Sequence, residues 1–267
     1  MLRELHHSAL VIIALAVMVG CNTHEAATPL DRTLTFRDST LTVMADTCTD
    51  SSCGVEDCGG ISIDRVIAQG DSAVASRINT VLASTYLAAL GGPNPDAPQF
   101  ASIGEAVSNF LSQQAAFRKD VPESPGGNWT FMARDSIFRS DSIVCIRQLA
   151  YSFTGGAHGN TVVAMPAFLA TTGERITWRD LTTDTNAFIA AAERAFRRTT
   201  QMSTRDTYAK AGFWFENERF TLPNVIGIMP TGYVLVYNQY EVAPYAYGVI
   251  EVPLPFDSVA TTQKSSK

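Results

Sequence analysis

The chain has 267 residues, of which 46% are apolar and 17% charged, with a formal net charge of -6. That composition belongs to a globular chain with real hydrophobic cores. The acidic balance argues against nucleic acid, whose phosphates need a basic face, and leaves a cationic protein partner electrostatically open.

Residues 1–20 join a short charged start, Arg3 and Glu4, to the apolar run SALVIIALAVMVG. The run has the length of a signal-peptide core and is too short for a comfortable membrane span. Small Gly20 then precedes Cys21, an order that resembles the lipobox at which bacterial lipoproteins are cleaved and diacylated. The alternative is a plain signal peptide followed by a chance cysteine. We therefore expect residues 1–20 to be a lipoprotein signal peptide, Cys21 to carry the lipid, and residues 21–33 to form a polar tether. Asn22 follows Cys21 in place of the aspartate that resembles an inner-membrane retention signal, so the expected location within the cell envelope is the outer membrane. The chain would be lipid-anchored on the periplasmic side, with the outer membrane preferred.

Leu34 to Met44 alternates apolar and polar residues and reads as an edge strand. Cys48, Cys53 and Cys58 follow at five-residue intervals in TCTDSSCGVEDCGG, and Cys145 lies alone in a strand-like run. An even number of cysteines in an exported chain points to disulfides, with several pairings open. The economical pairing staples one clustered cysteine to Cys145 and closes a small ring with the other two. A zinc site of all four thiolates competes, but this spacing is wider than the usual CxxC knuckle.

Ile61 to Ala68 predicts a strand, and DSAVASRINTVLASTYLAAL a helix capped by Asp71 and stopped by Gly91, Gly92 and Pro93. Ser102 and Glu105 form a capping-box pattern ahead of a second amphipathic helix. From Asn128 the period changes to two, and the runs up to Ala170 predict an antiparallel three-stranded meander. Within it lies YSFTGGAHGN: Tyr151 and Phe153 alternate as a strand does, Gly155 and Gly156 permit a bent turn, and Asn160 opens the returning strand.

His158 sits at that joint. The other histidines, His6, His7 and His24, lie in the leader or just behind it. A histidine-rich zinc site is thus disfavoured, and any Ser-His-Asp triad would have to run through His158. Its bland role is to bond the turn together; its other role is ligand contact in an exposed loop. Further on, Asp184 starts a helix whose Arg194, Arg197 and Arg198 read as a solvated face. Phe213, Trp214, Phe215 and Phe220 seat a segment on a core, Val225 to Met229 and Gly232 to Tyr237 are short strands, and Val249 to Pro253 closes the sheet. Before that last strand, Tyr240, Pro244 and Tyr245 make a rigid aromatic loop.

YSFTGGAHGN, TTGERITWRDL and FTLPNVIGIMPTGYVLVYNQYEVAPYAYGVIEVPLPF together resemble the RsiV-type envelope domain family, domain of unknown function 3298, with its usual N-terminal companion domain. The resemblance runs over about residues 145–257, and its specific parts are GGAHGN and YEVAPYAYG. It implies an α+β fold, antiparallel β-sheets packed against a few α-helices, and in some members recognition of lysozyme in the envelope. The implied division is a companion domain at 34–144, the RsiV-like domain at 145–257 and a flexible tail at 258–267. The resemblance does not extend to the sigma-binding segment or the deacetylase region of such relatives, so neither role is carried over.

The expected function is therefore a non-catalytic envelope binding module recognising lysozyme or peptidoglycan. Its candidate contacts are Gly155, Gly156, His158, Asn160, Tyr240, Glu241, Tyr245 and Tyr247, with no cofactor and no metal. For the tyrosines, core packing with satisfied hydroxyls is the bland alternative. A peptidoglycan-directed hydrolase with His158 as base, oriented by Asp180 or Glu241, needs a nucleophile or metal that the sequence does not supply. Glu216 and Glu218, two apart on an expected strand, share a face and cannot flank a sugar. A structural envelope protein without a pocket is the third reading. The recognition reading requires GGAHGN and YEVAPYAYG to meet on one exposed face.

Overall fold

The computed structural model describes residues 33–46, 48, 52–91, 99–122, 124 and 127–259. Cys21, the leader, most of the tether and the tail beyond residue 259 lie outside the described residues. From Thr33 onward the chain forms one compact unit. Its fold is α+β.

The larger sheet contains β1 (Thr35–Met44), β2 (Gly60–Gln69), β3 (Thr130–Arg139), β4 (Ile143–Phe153), β5 (Asn160–Ala164), β6 (Ala167–Leu169) and β7 (Arg175–Ile176). The order is β1-β2-β3-β4-β6-β7, and β5 also pairs with β4. All pairs are antiparallel except β2 with β3, which run parallel. A parallel neighbour needs a long crossover, and α2 (Ser72–Gly91) and α3 (Ile103–Asp120) supply it. Both helices start where the sequence predicts. Asp71 Oδ1 accepts from the amides of Ala73 and Val74 at 3.0 and 3.3 Å, and Ser102 Oγ accepts from the amide of Glu105 at 3.2 Å.

The second sheet has the order β10-β9-β8, from β8 (Val225–Met229), β9 (Gly232–Tyr237) and β10 (Ile250–Pro255), all antiparallel. It shares a core with α4 (Trp178–Leu181) and α5 (Thr185–Thr199), in which Phe188, Phe196, Leu235 and Tyr237 are fully enclosed. Asp184 caps α5 by accepting from the amide of Ala187 at 2.8 Å. Phe213 and Phe215 are buried in this core, while Trp214 between them is exposed.

Strand β4 joins the two halves because its alternating residues serve different cores. Val144 and Ile146 pack with α2, and Cys145 points into the core shared with the second sheet. The expected domain boundary at residues 144 and 145 falls inside this strand, and Phe138 of β3 pairs with Cys145 across it. One sheet therefore carries residues from both sides of that boundary.

The economical pairing holds in its small ring and fails in its staple. Cys48 bonds Cys58, and Cys53 and Cys145 are free. Cys145 cannot serve as the staple because β4 aims it into the packed core, with its Sγ 3.8 Å from the carbonyl of Met165. Burial pushes this thiol up to about 11, so it is neutral at physiological pH. The four-residue helix α1 (Val55–Cys58), which the sequence reading leaves as loop, leads into the disulfide.

Candidate recognition site

The site is built on the turn between β4 and β5. Gly155 and Gly156 take φ of 89° and 90°, a region that a Cβ disfavours, so the chain leaves β4 and folds back within a few residues. At Gly159 the reason for glycine is space: a Cβ there would lie 2.4 Å from the ring of Tyr151. Tyr151 packs over the turn, and His158 is left exposed on its outer side.

His158 has partners at both ring nitrogens. Nδ1 lies 3.0 Å from the carbonyl oxygen of Gly159, and Nε2 lies 3.0 Å from the hydroxyl of Tyr240. A carbonyl only accepts, so Nδ1 carries the hydrogen and Nε2 of the neutral ring accepts from Tyr240. Tyr245 stacks on the imidazole, with ring centroids 3.7 Å apart and planes at 18°. Tyr240 completes the cluster, 6.1 Å from His158 and 5.9 Å from Tyr245.

Hydrogen bonds to β5 and to Asn224, just ahead of β8, hold the tyrosine loop in place. Asn238 Oδ1 accepts from the amide of Val163 at 2.7 Å, and its Nδ2 donates to the carbonyl of Val163 at 3.1 Å. Gln239 Oε1 accepts from the amide of Thr161 at 2.6 Å. These side chains continue the ladder of β5 where no strand partner runs beside it. Glu241 locks the other side, accepting from the amides of Asn238 and Asn224, each at 2.9 Å. Between them Tyr240 is 50% exposed and sits at φ 65°, a left-handed conformation that costs a bulky residue roughly 1–3 kcal/mol.

The expected residues thus divide. His158, Tyr240 and Tyr245 form one surface ring cluster, with His158 and Tyr240 exposed and Tyr245 half-buried, shaped by Gly155 and Gly156. Glu241 is an anchor of the loop. Tyr247 lies at its edge, its hydroxyl donating to the carbonyl of Ala211 at 3.2 Å and its ring 5.3 Å from Phe213. Asn160 faces a different cleft, between α2 and the β4–β5 hairpin. Asn238 and Gln239 escaped the sequence reading, and Tyr151 was read only as a strand residue. The polar pair Asn238-Gln239 directly ahead of the aromatic loop was the available signal.

The carboxylates that a hydrolase would align with His158 have other work. Glu241 holds the loop, and Asp180 caps α4 by accepting from the amide and hydroxyl of Thr177 at 2.7 and 2.9 Å. Glu216 and Glu218 lie on a 3-10 turn rather than the expected strand, and Glu218 accepts from the amides of Tyr208 and Ala209. Among the described residues, no group of three or more His, Cys, Asp or Glu side chains converges as a metal site would need. What the arrangement offers chemically is a rigid, flat, half-polar aromatic surface.

Residues 179–257 match the model of a family described as a protein of unknown function, DUF3298. That match spans the tyrosine loop and β8–β10 but stops short of His158. No curated protein matches the chain. Among solved structures, the fold is similar to that of a DUF3298 family protein from Pseudomonas aeruginosa PAO1, at 18% identity and a TM-score of 0.62, covering 88% of this chain and 97% of that one. It is also similar to a DUF3298 family member from Bacteroides fragilis NCTC 9343, at 15% identity and a TM-score of 0.63, covering 88% of this chain and 95% of that one. The chain thus shares the fold of solved DUF3298 proteins and matches that family's model over residues 179–257.

Proposed function

We propose that the chain is an envelope binding module that works without catalysis, with His158, Tyr240 and Tyr245 as its recognition face. The ring cluster carries this reading. His158 and Tyr240, 82 residues apart, share a hydrogen bond, and Tyr245 stacks on the imidazole, so the rings are held by contacts that do not depend on a ligand. Rings held in place bring contact area with little rotamer entropy to lose, and they suit the flat face of a sugar or a basic side chain. The strained backbone of Tyr240 supports the same reading, since a left-handed tyrosine is kept at a cost where its ring position matters.

The partner is a peptidoglycan fragment or a cationic, lysozyme-like protein, the second favoured by the net charge of -6. Lipid anchoring through Cys21 at the periplasmic side would place the module beside both. Calorimetric titration of the purified protein with muropeptides and, separately, with lysozyme tests the reading. Tyr245→Ala and His158→Ala should each weaken the saturable partner by about tenfold or more while the fold is retained. Unchanged affinity in both variants, or no binding to either partner, contradicts it.

A further inference from the structure

A second site lies along α2. Between this helix and the β4–β5 hairpin runs a cleft of about 450 Å³, walled by Ala88, Ala89, Phe131, Ala150 and Val162. A second chamber of about 420 Å³ adjoins it and contains Arg175, Thr177, Arg179 and Asn224. Ser84, Thr85 and Ala164 line both, so the two meet along this edge of α2. From Val81 in one chamber to Ala89 in the other, α2 rises about 12 Å.

The chambers differ in chemistry. The first is apolar, of the size and lining that small-molecule sites have. The second presents two guanidinium groups and no acidic side chain. Neither Arg175 nor Arg179 has an ion-pair partner among the described residues, and the Arg179 guanidinium sits 4.5 Å above the ring of Trp178.

Gln148 lines the first chamber, opposite the shared residue Ala164. It is 2% exposed, and its Nε2 donates to the carbonyl of Leu82 at 3.3 Å. That bond orients the amide and leaves Oε1 buried without a hydrogen-bond partner. An unpaired buried acceptor is costly and asks for a donor.

We propose that this groove binds an N-acylated amino acid or a close analogue. The acyl chain lies in the apolar chamber, the carboxylate meets Arg175 and Arg179, and the amide N–H donates to Gln148 Oε1 opposite Ala164. The amide fits because it is a donor set between an apolar tail and an anionic head, the order in which the groove presents its complements. This site shares no ring with the His158 cluster and stands apart from the recognition reading.

Calorimetric titration of the full-length protein with N-lauroylglycine and N-lauroylsarcosine, both below their micelle concentrations, tests it. The two probes share chain and carboxylate, but the second carries a methyl in place of the amide hydrogen. N-lauroylglycine should saturate a single site, and N-lauroylsarcosine should bind about tenfold more weakly. Replacing both arginines, Arg175→Gln with Arg179→Gln, should weaken N-lauroylglycine by a similar factor. Ala89→Phe, with an unchanged circular dichroism spectrum, should abolish binding, whereas Tyr245→Ala should leave it intact. No saturable binding, equal affinity for the two probes, or full binding by Ala89→Phe overturns the proposal. If Ala89→Phe does not fold, the comparison of probes on the unaltered protein decides.

Discussion

Gly159 shows how tightly single residues constrain the recognition face. Because a Cβ at this position would collide with the Tyr151 ring, Gly159→Ala must push either the turn or the ring aside. Chemical denaturation should find it destabilised by about 1–3 kcal/mol, the usual cost of overpacking. Tyr240 is constrained through its backbone. Its left-handed backbone is strained for any residue with a Cβ, so Tyr240→Gly should be more stable than Tyr240→Ala by roughly 0.5–1 kcal/mol. Both changes remove a recognition ring, so both should lose affinity. The cysteines give a chemical test at the same scale. Cys145 is enclosed and its thiol raised, while Cys53 is half-buried at the surface. Peptide mapping after brief alkylation of the native protein should find Cys53 modified and Cys145 intact, both becoming reactive in denaturant.

At the scale of elements, α2 is held to the large sheet by a buried polar cluster as well as by apolar packing. The Tyr86 hydroxyl donates to one oxygen of Asp135, and the other accepts from the amide of Val66 at 2.9 Å. Burial raises the Asp135 carboxyl above its ordinary value, while these hydrogen bonds pull it back. A carboxyl whose folded value is raised contributes stability in full below its unfolded value, and that contribution is lost as pH rises through the folded value. Tyr86→Phe removes a bond that favours the ionised form. It should therefore cost about 1.5–3 kcal/mol at neutral pH and less at pH values low enough to protonate Asp135, as measured by urea unfolding. An equal loss at both extremes would contradict this. The longer elements were legible in the sequence because they carried local signals: Asp71 and Asp184 capped the helices they were assigned, and β8 and β9 flank Pro230-Thr231 as read. The parallel pairing of β2 with β3 was not legible, since it depends on where α2 and α3 return the chain.

For the whole molecule, long-range pairing is what the sequence left open. Three cysteines at equal spacing do not say which two bond, and the closure of Cys48 on Cys58 depends on α1, whose short helix gave no periodic signal. The ring cluster was legible only as a requirement. Nothing in GGAHGN or YEVAPYAYG reveals the other, and it is Asn238 and Gln239 bonding β5 that bring them together. Mixed-function tyrosines were equally hidden: Tyr245 stacks in the cluster while Tyr247, two residues on, bonds Ala211. The most direct test of recognition by this face is a chemical-shift map of the labelled protein on addition of lysozyme or muropeptides. The largest shifts should fall on the His158 imidazole and the rings of Tyr240 and Tyr245. Shifts confined to other surfaces, with these three signals unmoved at saturation, would contradict it.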